Sequence, residues 1–151
     1  MNQTKTLDYY IKIAWQNVAN KYNLIASQYG FTQAAGYILI QIRKEGTSVS
    51  EIANSTGVKT TSLSRVLNNL EALGFIYREV NANDKRSVKV FLTELGKEKR
   101  KIAKEVILEF DALLENEMSD REKNQLIKTL TKISDLANKY QPQISALEDQ
   151  V

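Results

Sequence analysis

The fold is decided by Val49-Ser50-Glu51-Ile52-Ala53-Asn54-Ser55-Thr56-Gly57, followed by Val58-Lys59-Thr60-Thr61-Ser62-Leu63-Ser64-Arg65-Val66-Leu67-Asn68-Asn69-Leu70-Glu71-Ala72-Leu73-Gly74. Val49, Ile52 and Ala53 give a short helix around Ser50–Ser55 one apolar side. Thr56-Gly57 then signals a turn. A longer helix is expected from about Thr60 to Leu73. Its apolar positions, Leu63, Val66, Leu67, Leu70 and Leu73, recur at three- and four-residue steps. Gly74 follows where a helix C′ glycine belongs.

Two strands come next. Phe75–Val80 and Val88–Leu92 both alternate, with Ile76, Arg78 and Val80 on one face of the first and Val88, Val90 and Leu92 on one face of the second. Asn81-Ala82-Asn83-Asp84-Lys85-Arg86-Ser87 between them reads as a polar turn. A short helix, a glycine turn, a longer helix and a hairpin form the order of a winged helix-turn-helix, in which the second helix enters the major groove of DNA.

The faces of the longer helix suit that task. At 100° per residue, Thr61, Ser64, Arg65 and Asn68 fall within about one quarter of the circumference, opposite the apolar set. Thr60 and Ser62 add hydroxyls at its start. An arginine matches guanine O6 and N7, and an asparagine matches adenine N6 and N7. A merely solvated face would normally carry Glu and Lys, which favour helices more than these short hydroxyl side chains do. The hairpin supplies a second contact surface. Asp84 stands two residues from Arg86, so it can orient the guanidinium by a charge-assisted bond. An arginine so held suits a narrow minor groove, and Lys85 and Lys89 suit the flanking phosphates.

Outward from this core the chain is helical. Leu7, Ile11, Ala14, Val18 and Ile25 space a first helix that runs to about Gln28 and ends at Gly30. Thr32 caps a second, with Ala35, Ile38, Leu39 and Ile42, which stops before Gly46. Thr93 caps a long helix to about Asn116, with an apolar stripe from Ile102 to Leu114. Ser119-Asp120-Arg121-Glu122 is a capping box. It opens a last helix with Leu126, Leu130, Ile133, Ala137 and Tyr140, and Pro142 ends it. The fold class is therefore mainly α with a small β-hairpin wing. Residues 1–31 form an N-terminal helical segment, 32–93 the winged helix-turn-helix, 94–141 two C-terminal helices, and 142–151 a flexible tail.

Composition narrows the function. One proline and six glycines among 151 residues suit a helical protein. Cysteine and histidine are both absent. That removes disulfides, thiol chemistry, Cys/His metal sites and the commonest general base. No paired catalytic carboxylates and no phosphate-cradling glycine loop stand out, so no enzyme, cofactor or metal is expected. No apolar run approaches the ~20 residues that a membrane helix needs, and no signal segment opens the chain, so a cytoplasmic location is expected. Net charge is +2 over residues 1–58, +5 over 59–101 and −4 over 102–151. The basic middle coincides with the winged segment and points to a polyanion.

The residues resemble a known family at this point. Asp84-x-Arg86, then five residues, then Leu92-Thr93-x-x-Gly96, is similar to the wing signature of MarR-type regulators. Val49-Ser50-Glu51-Ile52-Ala53 with Leu63, Leu70, Gly74, Phe75 and Ile76 resembles that family's helix-turn-helix, and the likeness covers about Leu7 to Tyr140. The resemblance implies a homodimer on a pseudo-palindromic operator, joined through the first and last two helices. It also implies a cleft for small aromatic or lipophilic effectors. Tyr9, Tyr10, Trp15, Tyr22, Tyr29, Phe31 and Tyr37 crowd the N-terminal quarter. Most suit core or interface packing, while Tyr10, Trp15, Tyr22 and Tyr37 are candidates for lining the cleft. A second reading is a winged-helix protein-interaction module without sequence-specific DNA binding. Such a module would expose apolar or acidic groups where this helix is polar and basic.

Overall fold

The computed structural model describes residues 4–143, apart from the side chains of Asn81, Lys85 and Arg86. The elements run α1 (Leu7–Ser27), α2 (Gln33–Gln41), β1 (Thr47–Ser48), α3 (Val49–Thr56), α4 (Thr60–Ala72), β2 (Ile76–Asn81), β3 (Asp84–Leu92), α5 (Glu94–Glu117) and α6 (Asp120–Lys139). The chain divides into two compact units, residues 1–109 and 110–151. Among the described residues no helix is long and apolar enough to cross a membrane.

The first unit holds the core. Ile38, Leu39 and Ile42 of the α2 segment meet Ile52 of α3, Leu63, Leu67 and Leu70 of α4, Phe75 just before β2, and Ile76 and Val90 of the sheet. Burying one such side chain stabilises the fold by roughly 1.5–3 kcal/mol. The face of α4 that periodicity marks as apolar is therefore the face that packs, with one correction. Leu73 is 41% exposed, because α4 ends at Ala72 and the chain turns through Gly74 in the left-handed conformation, φ +77°. A helical stripe loses its meaning where the helix stops.

Local capping sets the boundaries. Thr32 caps α2 by accepting from the Ala35 N–H. Ser48 and Glu51 form a reciprocal capping box on α3, and Ser119 and Glu122 form the expected one on α6. Gly57, φ +67°, ends α3 and turns the chain toward α4. A side chain there would carry the left-handed backbone penalty.

The sheet has three strands in the order β1-β3-β2, all antiparallel. The sequence pattern contains two of them. The third, β1, pairs Thr47 with Val90 and Ser48 with Lys89. Thr47 is buried, and its Oγ1 accepts from the Arg43 N–H at 2.8 Å. The wing also differs from the expected loop. Its turn is the pair Ala82-Asn83, and Asp84 to Ser87 belong to β3. Register runs evenly from Ile76↔Leu92 to Val80↔Val88, then jumps to Asn81↔Asp84. Lys85, Arg86 and Ser87 thus form a bulge of extra residues on one strand. Turn composition located the reversal of the chain but not the unequal strand lengths.

The end of the wing is locked to the end of α4. Thr93 N–H donates to the Phe75 carbonyl at 3.1 Å, and Thr93 Oγ1 donates to the Gly74 carbonyl at 2.6 Å. The same oxygen accepts from Gly96 N–H at 3.0 Å, which caps α5. Gly96 lies against that joint, where a Cβ would stand 1.8 Å from the Phe75 oxygen. The second unit is simpler. Lys123 of α6 pairs with Glu115 of α5 and with Asp120 at 3.2 Å, and no residue of α6 is buried.

Two expectations follow. Gly96→Ala forces a side chain into backbone, so its urea midpoint should fall by the equivalent of roughly 3 kcal/mol; a loss below about 0.5 kcal/mol would contradict the clamp. Glu51 is held below the ordinary carboxylate range, first by the Ser48 backbone N–H and then by Arg43. A depressed folded-state value means that its contribution is full above about pH 4.5, the ordinary value, and is lost as pH falls below it. Unfolding midpoints of wild type and Glu51→Gln should differ at neutral pH and converge in acid.

Candidate nucleic-acid interface

The candidate interface begins with what α4 does not bury. Leu63, Leu67 and Leu70 are fully packed, which turns Thr60, Thr61, Ser62, Ser64, Arg65 and Asn68 to the exposed side. All six expected recognition residues are accessible. Over this face no carboxylate appears until Glu71, and Glu71 is paired with Arg78 of β2 at 2.6 Å. The helix therefore offers hydroxyls, a guanidinium and an amide to a polyanion without an unpaired acid among them.

The helix before it is fixed in position. Glu51 accepts from the Ser48 N–H at 3.1 Å and from Arg43 Nη2 at 3.0 Å. Thr56 donates to the Ile52 carbonyl at 2.7 Å. These bonds hold α3 at the end of β1. Lys89 is exposed on β3, between Ser48 of β1 on one side and Glu79 of β2 on the other. Ser48 is also the N-cap of α3. Wing and helix-turn-helix thus share a backbone ladder.

The expected wing contacts divide. Asp84 opens β3 as the partner of Asn81, and the backbone of Lys85 and Arg86 lies in the bulge just after the turn. Their side chains, and with them the Asp84–Arg86 pairing, lie outside the described residues. The base of the wing carries Tyr77 stacked on Phe91, centroids 5.2 Å apart. The Phe91 ring fits over Gly46, where a Cβ would meet it at 2.6 Å.

The aromatic candidates separate as well. Trp15 of α1 and Tyr37 of α2 line a groove of about 410 Å³, with Gln33, Thr56, Val58, Ser62 and Val66 among its other walls. That volume falls within the range of small-molecule sites, and the mix of apolar walls with a few polar groups is theirs too. Ser62 and Val66 belong to α4, so the groove shares a wall with that helix. Tyr22 meets Tyr37 instead around a cavity of about 30 Å³, room for a water molecule and no more. Tyr10 lines neither and is exposed at 59%.

Other participants fall outside the expected set. Arg78 reaches both Glu71 and Asn68. Its signal was present, since an arginine on a strand face shared with Ile76 and Val80 needs polar partners. Gln33 and Val66 join the groove with no local signal for that role, because elements far apart in sequence build it.

Comparison with known proteins agrees with this geometry. Residues 29–87 match the model of the MarR family. Over 109 residues, 72% of this chain and 74% of the relative, the sequence is 28% identical to the HTH-type transcriptional regulator BilQ of Clostridioides difficile (strain CD3). The fold superposes with a TM-score of 0.74 on a mutant MarR from E. coli complexed with operator DNA, at 26% identity over 84% of this chain and 92% of that one. It superposes at 0.80 on the S. aureus MepR–DNA complex, at 24% identity over 87% and 98% of the two chains.

Proposed function

We propose that this chain is a MarR-type winged-helix regulator of transcription that binds a pseudo-palindromic operator as a cytoplasmic homodimer, represses from it, and is released by a small aromatic or lipophilic effector. The observation that carries the reading is the division of α4. Three leucines are buried on one side, and Thr61, Ser64, Arg65 and Asn68 are exposed on the other. Arg65 and Asn68 supply base-edge contacts, Thr60 and the hydroxyls of Thr61, Ser62 and Ser64 supply phosphate or base contacts, and Lys85, Arg86 and Lys89 bring the wing to the backbone and minor groove.

A homodimer is supported by the C-terminal helices. Leu126, Ile127, Leu130 and Leu136 on α6 are all exposed, on a helix with no buried residue. An apolar stripe left in water is unfavourable and seeks a partner. Two protomers joined there would place their reading helices in successive major grooves, roughly 34–36 Å apart. Effector release is supported by the groove. A ligand between Trp15 and Tyr37 touches Ser62 and Val66 of α4. If it fits one spacing of the two readers better than the other, it shifts the population toward that spacing.

Three measurements test this. Arg65→Ala should relax base preference in each half-site, whereas an equal loss on every sequence would make Arg65 a phosphate contact. Arg86→Ala should weaken operator binding by roughly 1–3 kcal/mol and reduce the salt slope by about one; no change in either would remove the wing from the interface. Trp15 is the only tryptophan, so binding of a small aromatic carboxylate in the groove should quench its fluorescence and lower operator affinity together. Quenching with operator affinity unchanged would end the effector reading.

A further inference from the structure

Arg78 lies outside the helix-turn-helix, on β2, yet its guanidinium faces two residues of α4. Nε donates to Glu71 Oε2 at 2.6 Å, and Nη2 donates to Asn68 Oδ1 at 2.6 Å. Asn68 and Glu71 are three residues apart and share one edge of the helix. The planar fork of an arginine can serve both at once, where a lysine ammonium on its flexible stem cannot hold the same fixed geometry. The arginine side chain is 28% exposed, so it is held between strand and helix rather than extended into solvent.

This contact fixes the direction of an amide. A guanidinium has donors and no acceptor. Asn68 must therefore turn its carbonyl oxygen to Arg78, because the flipped amide would set N–H groups against a cation. The Asn68 Nδ2 points the other way with two donors to offer. Glu71 in turn holds the guanidinium in place by a charge-assisted bond.

We infer that Arg78 is a positioning residue for sequence recognition, one that presets Asn68 as a hydrogen-bond donor and so selects a base edge carrying acceptors. The inference rests on the proposed reading of the α4 face as the base-contacting surface. It alters what Asn68 recognises. Adenine requires an amide to accept from N6 and donate to N7 together. Arg78 draws Oδ1 back toward the strand, away from that double role. The edges left to the two N–H donors are guanine N7 and O6, or thymine O4.

The test is selection of bound duplexes from a random pool by wild type, Asn68→Ala, Arg78→Lys and the double variant, followed by affinities on single-base substitutions of the selected site. In each half-site one base position should prefer guanine or thymine about tenfold, and Asn68→Ala should abolish that preference. Arg78→Lys should lose the same preference at the same position. The double variant should discriminate no less than Asn68→Ala alone. A ratio of affinities on two duplexes does not depend on the folded fraction, so a partly unfolded variant still decides the question. The inference is overturned if Arg78→Lys keeps the preference, if it weakens all sequences by one factor, or if the position prefers adenine or cytosine. A wild type that selects no common sequence would overturn the base-reading role of α4 itself. A selected site indifferent to Asn68→Ala would overturn only the part assigned to Arg78 and Asn68.

Discussion

The joint at Gly74-Phe75 is the constraint on which the placement of α4 against the wing depends. Two adjacent backbone carbonyls there receive Thr93, that of Phe75 from its N–H and that of Gly74 from its hydroxyl, and Gly96 closes against Phe75. Four element ends meet at this point: the last turn of α4, the first residue of β2, the last of β3 and the first turn of α5. A hydroxyl that donates to one carbonyl and accepts from one amide can bring together ends that would otherwise each need their own cap. Helix α4 and the wing are therefore tied together at this joint. A displacement of α4 relative to the wing would have to break these bonds first. Rigid presentation of contact groups saves the ordering cost that flexible side chains and loops would bring to binding.

The same joint explains why the Leu92-Thr93-x-x-Gly96 pattern was visible as a motif. Each of its polar or small residues answers a local stereochemical need, and local needs leave marks at fixed spacing. The helices were legible for a related reason. Ser119–Glu122, Thr32 and Gly74 are caps within a few residues of the boundary they set, and Leu63, Leu67 and Leu70 repeat with the helical period. What the pattern did not contain is non-local. Strand β1 is two residues long, too short for alternation, and exists because the backbone of β3 has an open edge beside it. The bulge at Lys85–Ser87 depends on how β2 and β3 count against each other, a property of the pair and of neither strand alone. Leu73 kept the helical period one residue past the end of the helix and so came out exposed.

The candidate site divides along the same line. Exposure of Thr61, Ser64, Arg65 and Asn68 follows from the burial of the opposite face, so period alone located them. The groove beside them draws on α1, α2, the turn after α3 and α4, and aromatic content could place only Trp15 and Tyr37 within it. Tyr10 points elsewhere because it lies about 140° around α1 from Trp15, whereas Tyr22 shares the side of Trp15 but lies two turns, about 10 Å, further along the axis. A ring at the right position in the chain is not thereby at the right position on the helix.

The unburied stripe of α6 has one further consequence. A helix of 20 residues with no buried residue draws little stability from its own protomer, because most helical stability in proteins comes from packing of an apolar face. On the homodimer reading the missing stabilisation comes from another copy, and by mass action it grows with the number of copies present. Abundance then becomes a structural variable. A cell holding few molecules would hold a larger share with loosened C-terminal segments, open to proteolysis. As copies accumulate, the same chain would become tighter, longer-lived and better able to bridge two half-sites, giving the protein a threshold of action encoded in an exposed row of leucines.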